Sequence, residues 1–520
     1  MSVPRHIEKE LELLRKENAL LRQKLEDLIK KVWGSSSEKV DIGQLLLFED
    51  TEAKKSEGDK QLQEEESSPK PPKKRKKRTS REATLPKDIL VQEIVIIPDE
   101  VKASPGDYRK VDEEKTTKLD YLPAQFKKIV IRRFKFVKRG DLEDEAFFIA
   151  PLPPSLKERS LLTPSLAAEI ATNRYCDHLP YYRQEQHFLM RHGVHLARNT
   201  MSQWMQHLAS DYLSGIYTAM QQDLLKETYL QVDETPIKYL EPGNGKTKQG
   251  YFWALSGPDI KSQSARGDIF YQWHLGRSAN CLQSLLQTPE QRFLGILQCD
   301  GYSAYQSYKN QRNRQILEIE LIACWAHVRR KFFDAKSYKP KITAWILKQI
   351  GNLYQIESKL RKARVGAAER ERVRISESIP IYKRLGKALW MLKTKRKVLP
   401  ESKLGEAIDY ALGQWSKLEL CFRDGRLEID NNLIENGIRP TKLGAKNWLF
   451  MGSADAGQIN AMWYSLIESC RRRKINPRDY LVWIFEELPK IKIVKGTFGL
   501  YTPKAYAEKR RLNSSFLKVS

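Results

Sequence analysis

The stretch that most constrains this chain is residues 226 to 335, where short segments rich in β-branched and aromatic residues alternate with helical ones. Strands are expected at Thr228 to Asp233, Gly250 to Leu255, Ile269 to Leu275, Phe293 to Asp300 and Ile316 to Ala323. Helices are expected from Ala279 to Gln287, from Tyr302 to Asn310 and from Trp325 onward. Three strands in succession followed by alternating helices and strands describe an α/β fold, a mixed sheet with helices on both faces. Two of the strands close on an acid: Tyr-Leu-Gln-Val-Asp ends at Asp233 and Ile-Leu-Gln-Cys-Asp at Asp300. If the first and fourth strands are neighbours, the two carboxylates meet at one end of the sheet, where a divalent cation relieves their repulsion. Glu234 is expected on the opposite face, because side chains alternate along a strand. Turn or helix-cap residues are the bland reading of both aspartates.

A third acid, Glu435, lies in Ile-Asp-Asn-Asn-Leu-Ile-Glu-Asn-Gly-Ile-Arg-Pro, residues 429 to 440. Asn431 or Asn432 is expected to cap a helix holding Glu435, with Arg439 one turn later on the same face and Pro440 ending it. A surface ion pair is the alternative.

The remaining organisation follows from charge and periodicity. The chain has 520 residues and a net charge of +26, from 91 Lys and Arg against 65 Asp and Glu, which points to a polyanionic partner such as nucleic acid. Six scattered cysteines with no CxxC pair exclude a disulfide scaffold and a zinc ribbon. No apolar run is long enough to span a bilayer, and a cytosolic or nuclear protein is expected. In residues 1–33, Ile7, Leu14, Leu21 and Leu28 alternate with Leu11, Asn18, Leu25 and Val32 as the two seam positions of a heptad, a dimerising parallel coiled coil. A single amphipathic helix is the alternative. Residues 34–85, ending in Pro-Pro-Lys-Lys-Arg-Lys-Lys-Arg, read as a flexible basic linker. Residues 86–155 suggest a small β-containing module from the runs Ile89 to Ile97 and Phe126 to Val137. In the region 156–222, helices over Leu162 to Tyr175, Tyr181 to Arg191 and Arg198 to Tyr212, with Gly193 between the last two, have helix-turn-helix spacing. Arg198, Asn199, Thr200 and Gln203 would head the second helix of that motif and can reach base edges; a helical hairpin that merely packs is the alternative.

Several of these residues carry a family resemblance. Asp-Asn-Asn-Leu-Ile-Glu, then Arg439-Pro440, then Gly-Ala-Lys-Asn-Trp-Leu-Phe-Met-Gly-Ser at 444 to 453 resembles the C-terminal signature of the insertion sequence 66 family of bacterial DDE transposases. Asp-Glu-Thr-Pro at 233 to 236, Asp-Gly-Tyr at 300 to 302, Cys-Trp-Ala-His-Val-Arg-Arg-Lys-Phe at 324 to 332 and Asn-Pro-Arg-Asp-Tyr-Leu at 476 to 481 are similar to other blocks of that family, in the same order. The resemblance covers roughly residues 160 to 490 and extends to Gly-Ser-Ser-Ser-Glu-Lys at 34 to 39. It departs in three places. The region 86–155 lacks the cysteines of the family's small zinc-binding module, so no structural zinc is expected, and Asn436 and Ala445 stand where arginines are usual.

The resemblance implies a ribonuclease H-like core, residues 223–335 and 428–470, in which Asp233, Asp300 and Glu435 hold two Mg²⁺ or Mn²⁺ ions and catalyse in-line attack on a phosphodiester. Residues 336–427 would be a helical insertion and 471–520 a basic C-terminal element. Arg439, Lys442, Lys446 and Asn447 lie where they can hold DNA phosphates, and His327 and Arg330 are further candidate DNA contacts. Trp448 and Phe450 can stack on an unpaired base, with core packing as the alternative. The expected activity is cleavage at element ends and strand transfer into target DNA. Its partners are terminal inverted repeats, target DNA, a second copy or higher oligomer through the coiled coil, and companion proteins of the same element, with no membrane. The expected location is the bacterial cytoplasm, at the nucleoid. Competing readings are another nuclease of the same core, or a repressor or architectural DNA-binding protein that has lost catalysis.

Overall fold

The computed structural model describes residues 125–136, 148–241, 243, 245–258, 267–312, 318–491 and 497–516. The expected coiled coil, the linker and most of the 86–155 module lie outside them. Of that module, Lys135–Phe136 pairs antiparallel with Phe148–Ile149. Residues 125–130 belong to a separate unit and are exposed.

Four α-helices precede the main sheet. Helix α1 (Pro164–Tyr175) starts at Thr163, whose hydroxyl accepts the Leu166 N–H at 3.2 Å, with Pro164 in the first turn where a missing N–H costs nothing. Helix α2 (Tyr181–His192) stops at Gly193, which takes the left-handed conformation (φ 66°) that glycine tolerates best. Helix α3 (Arg198–Leu208) buries Met201, Trp204, Met205 and Leu208, spaced as one helical face, and leaves Arg198, Asn199 and Gln203 exposed. The α-helix expected to reach Tyr212 changes to a π-helical turn over Ala209–Leu213 before α4 (Ser214–Leu225).

Five strands form the central sheet: β1 (Tyr229–Leu240), β2 (Thr247–Ser256), β3 (Ile269–His274), β4 (Gly295–Cys299) and β5 (Ile319–Ala323). Their order is β3-β2-β1-β4-β5, antiparallel among the first three and parallel among β1, β4 and β5. The chain is thus α/β with a mixed sheet, and the first and fourth strands are neighbours. Helices α5 (Ala279–Leu286) and α6 (Ser303–Arg312) follow β3 and β4, and Tyr305 of α6 meets Trp253 of β2 edge-on at 6.0 Å. Beyond β5 lies α7 (Trp325–Asp334).

The edge strand β3 is covered by a helix. Ser469 and Ser465, one turn apart on α14 (Asp455–Arg472), accept the N–H groups of Ile269 (3.0 Å) and Tyr271 (2.9 Å). Backbone donors that would otherwise face solvent are thereby satisfied.

Residues 336–427 form a helical insertion with its own core: α8 (Pro340–Ala363), α9 (Ala367–Val373), a π-helical turn, α10 (Ile379–Thr394), α11 (Lys403–Gly413) and α12 (Trp415–Arg423). Ile346, Ile350, Leu385, Leu389, Leu404 and Phe422 pack there with Trp325 and Phe332 of α7. Helix α13 (Asn432–Trp448) then returns to the sheet, followed by α14, α15 (Pro477–Glu487) and α16 (Pro503–Phe516). No helix among the described residues is long and apolar enough to cross a membrane.

Candidate active site

Parallel pairing of β1 with β4 runs through Gln231 opposite Gln298. Two residues further on each chain, and so on the same face as the glutamines, stand Asp233 and Asp300. Asp233 does not end its strand, as expected from the sequence; β1 continues to Leu240, paired with β2 over ten positions. What ends near Asp233 is the parallel pairing, because the chain beyond Asp300 turns away into α6. Asp300 immediately follows β4, and its Oδ1 accepts the Tyr302 N–H at 2.9 Å, an Asx turn that leads into α6.

The two glutamines also position the third acid. Gln231 Nε2 donates to Gln298 Oε1 (2.7 Å) and to the Asp430 carbonyl (3.0 Å), while Gln298 Nε2 donates to the Glu428 carbonyl (3.0 Å). Asn431 Nδ2 reaches the Val232 carbonyl at 2.9 Å. Residues 428 to 431 are thereby laid across β1 and β4, and Glu435 follows in the first turn of α13. Two details differ from the sequence expectation. Asn431 occupies the cap position, but its side chain is used on β1; the Asn432 N–H is accepted by Asp430 instead, at 3.1 Å. Pro440 does not end the helix, which runs on to Trp448 with Ile434, Gly437, Ile438, Thr441 and Gly444 buried along one face.

The electrostatics agree with this convergence. Burial pushes the Asp233 carboxyl well above its ordinary value, and Glu234, Glu435 and Asp300 push it further. Among the described residues no ion pair reaches Asp233 or Asp300. Glu234, adjacent to Asp233 but directed to the α5–α6 face, is treated differently. Its side chain is 1% exposed, paired with Arg277, and accepts the Tyr305 hydroxyl at 2.5 Å. Arg277 in turn lies 3.8 Å over the Tyr302 ring.

Beside Glu435 stands His327, with Nδ1 3.9 Å from the carboxylate. Cys324, His327 and Glu435 bring one potential ligand atom each within 4.8 Å of one another. The thiol fits a metal poorly, since burial holds it protonated and its sulfur accepts the Asn431 N–H at 3.2 Å. The carboxylates fit a hard divalent cation better, being oxygen donors whose mutual repulsion is uncompensated. Buried Asn431 Oδ1 and His327 Nδ1 have no hydrogen-bond partner among the described residues.

The other candidates are distributed as follows. Arg439, Lys442 and Lys446 are exposed on α13, and Arg330 is exposed on α7. Lys442 Nζ donates to the Pro236 carbonyl at 2.8 Å, which ties α13 to β1. Asn447 accepts from Arg183 of α2 at 3.3 Å, linking α13 to the leading helices. Arg198, Asn199 and Gln203 sit on α3, whose first N–H is accepted by Glu185 at 3.3 Å. Trp448 packs against the main core beneath Arg174, and Phe450 is 38% exposed.

Comparison with known proteins decides the family. Residues 159–459, more than half of the chain, match the Transposase IS66 family, and residues 20–94 match the family described as Transposase C of IS166 homeodomain. The chain belongs to the IS66 family of transposases. It is 36% identical over 408 residues to the uncharacterized protein y4qI of Sinorhizobium fredii, covering 76% of this chain and 72% of that protein. To the uncharacterized protein y4jD of the same organism it is 29% identical over 409 residues, 78% of either chain. Family membership gives the chain a transposase role, and transposases of the DDE type generally use divalent metal ions.

For this IS66 family member, sequence reasoning missed Arg277, Tyr305 and the Gln231–Gln298 pair. Arg277 and Tyr305 lie 43 and 71 residues from the Glu234 they serve, beyond any local pattern. The glutamines were visible in principle, since each precedes its aspartate by two residues in otherwise apolar strands.

Proposed function

We propose that the chain is a transposase with a ribonuclease H-like core in which Asp233, Asp300 and Glu435 would hold two divalent cations, Mg²⁺ or Mn²⁺. The observation that supports this most is the convergence of three carboxylates from residues 233, 300 and 435, with Asp233 buried among like charges. Bound there, such ions supply a more acidic water or 3′-hydroxyl and neutralise charge on the leaving oxygen. The rest is done by the chain's own groups. The glutamine pair fixes the start of α13, so Glu435 keeps its position relative to β1 and β4. The Arg277–Glu234–Tyr305 cluster fixes the other face of β1 beneath Asp233. Exposed Arg439, Lys446 and Arg330 hold phosphates, His327 contacts the scissile region beside Glu435, and α3 with Arg198, Asn199 and Gln203 reads the element ends. In the first step water oxygen bonds to phosphorus and the bond from phosphorus to the 3′-oxygen breaks, releasing a 3′-hydroxyl. In the second step that hydroxyl attacks a target phosphodiester, and a new 3′-hydroxyl leaves. Residues 1–33 pair two copies, as paired ends require, and the site of action is the cytoplasmic nucleoid.

The test uses duplexes carrying the inverted repeats that flank the reading frame. Asp233→Asn and Asp300→Asn should each lower Mg²⁺-dependent strand cleavage by about a thousandfold or more, with affinity for the duplex in EDTA unchanged. Cleavage at wild-type rates in either variant refutes the metal assignment. A wild-type chain that binds these ends and never cuts them supports the repressor reading instead.

A further inference from the structure

The helical insertion carries a cationic face that the acid cluster does not use. From Ala335 to Ile356 the chain has four lysines and no acid, and from Ser378 to Pro400 it has seven Lys and Arg and no acid. These stretches contain α8 and α10, which pack on one another, and Lys339 Nζ donates to the Lys397 carbonyl, tying their far ends together. Between them opens a cleft of about 410 Å³ floored by Ile342, Trp345, Met391 and Leu392 and rimmed by Lys341, Lys395 and Lys397. Trp345 is 37% exposed and Trp390, one residue before Met391, is 61% exposed. Of the neighbouring lysines, Lys393 is paired with Asp409 (2.8 Å) and Lys336 lies over the Phe333 ring (4.1 Å).

A surface this rich in lysine repels a second copy of itself, so the occupant is anionic. Exposed tryptophans beside the lysines add a demand that charge alone does not make, namely flat apolar or π surface in the partner. Nucleic acid meets both requirements at once, phosphates for the lysines and base faces for the rings. We propose that the α8–α10 face of the insertion is a second DNA-binding surface, with Lys341, Lys395 and Lys397 on phosphates and Trp345 and Trp390 stacking on unpaired bases. This inference rests on the reading that the chain works on DNA, and it assigns the insertion a role in holding a strand end once base pairing there is broken.

The test uses the full chain in EDTA and a labelled random-sequence duplex with a single-stranded end. Replacing the three lysines together (Lys341→Glu, Lys395→Glu, Lys397→Glu) should weaken binding about tenfold or more. The slope of log affinity against log salt should fall by about 2 to 3, since each duplex phosphate contact contributes about 0.9. Trp345→Ala and Trp390→Ala should each cost about tenfold for the single-stranded end and leave a blunt duplex unaffected. Bromouracil in the overhang should cross-link to the peptides holding these tryptophans. All substituted side chains are exposed, and an unchanged melting temperature verifies the fold. Wild-type affinity and salt slope in the triple variant overturn the proposal. So does polyglutamate binding that the triple variant loses while DNA binding persists, which identifies an acidic protein as the partner. Asp233→Asn separates this inference from the metal reading: it should leave binding to the insertion intact. Insertion-dependent binding by a chain that never cleaves refutes the metal reading alone.

Discussion

At the scale of single residues, Asp233 and Glu234 show how two consecutive acids on one strand acquire opposite fates. Both are pushed upward by burial, but Glu234 has Tyr305 and Arg277 to offset it, whereas Asp233 faces further carboxylates. An acid whose folded pKa is raised contributes stability that is full below its ordinary pKa and is lost as pH rises through the folded value. Ionising Asp233 as pH rises therefore destabilises the metal-free chain. Asp233→Asn should raise the melting temperature in EDTA by about 1–3 °C, while added Mg²⁺ should stabilise the wild type and leave the variant nearly unmoved. Differential scanning fluorimetry with and without Mg²⁺ checks this, and a lower melting temperature for the variant in EDTA contradicts it. Strand alternation made the opposite orientation of the two acids legible in the sequence. The partners were not legible, because Arg277 and Tyr305 reach Glu234 only after β1, β2, β3 and α6 have assembled.

At the scale of elements, the strand and helix order from Thr228 to Trp325 was readable because β-branched and aromatic runs alternate with amphipathic ones. Boundaries were less so. The polar outer half of β1, Glu234 to Leu240, carries Pro236 and Lys238 and breaks the apolar run, yet it is held by pairing with the equally polar start of β2. Pro440 reads as a helix stop in isolation, but packing of the buried face of α13 carries the helix through it. The join between insertion and sheet was wholly hidden. Arg374 grips Glu357 (2.6 Å) and caps the carbonyls of Cys421, Asp424 and Leu427; Arg370 bridges Glu357 (2.9 Å) and Glu428 (3.0 Å); and Arg361 adds a contact to Glu428 (2.8 Å). Burial opposes ionisation of Glu428, but Arg370 and Arg361 outweigh it and hold the carboxyl at about 2. Stability from this depressed group is present above its ordinary value of 4.5 and is lost as pH falls toward about 2. Asp430, pushed by burial to about 6, works with the opposite sign. Glu428→Gln should cost about 3 kcal/mol near neutral pH, since it removes one of the two carboxylates that pair with Arg370, whose side chain is 13% exposed. Its melting temperature should also fall less than that of the wild type between pH 4.5 and 2. Equal acid sensitivity in the two proteins would remove Glu428 from the account.

At the scale of the whole molecule, a net charge of +26 belongs to a chain whose candidate site is a small cluster of acids. One hydrophobic core joins the four leading helices, the sheet and the C-terminal helices, and a second holds the insertion. The proposed pairing through residues 1–33 has its own test. Removing those residues should convert a dimer to a monomer in sedimentation velocity with little change in melting temperature, and an unchanged sedimentation coefficient refutes pairing through that segment. The heptad is a local sequence pattern, and the coiled coil it predicts lies outside the described residues; the two-core organisation was not legible, since it depends on contacts between α7 and helices far along the chain. Finally, the serines of α14 on the rim of β3 bear on how copies crowd together on DNA. A bare rim at high local concentration is a template on which one copy's strand can zip onto another's. With Ser465 and Ser469 occupying the Tyr271 and Ile269 donors, that rim offers these two N–H groups to no incoming strand, so close packing of copies would find no template for β-aggregation at those donors.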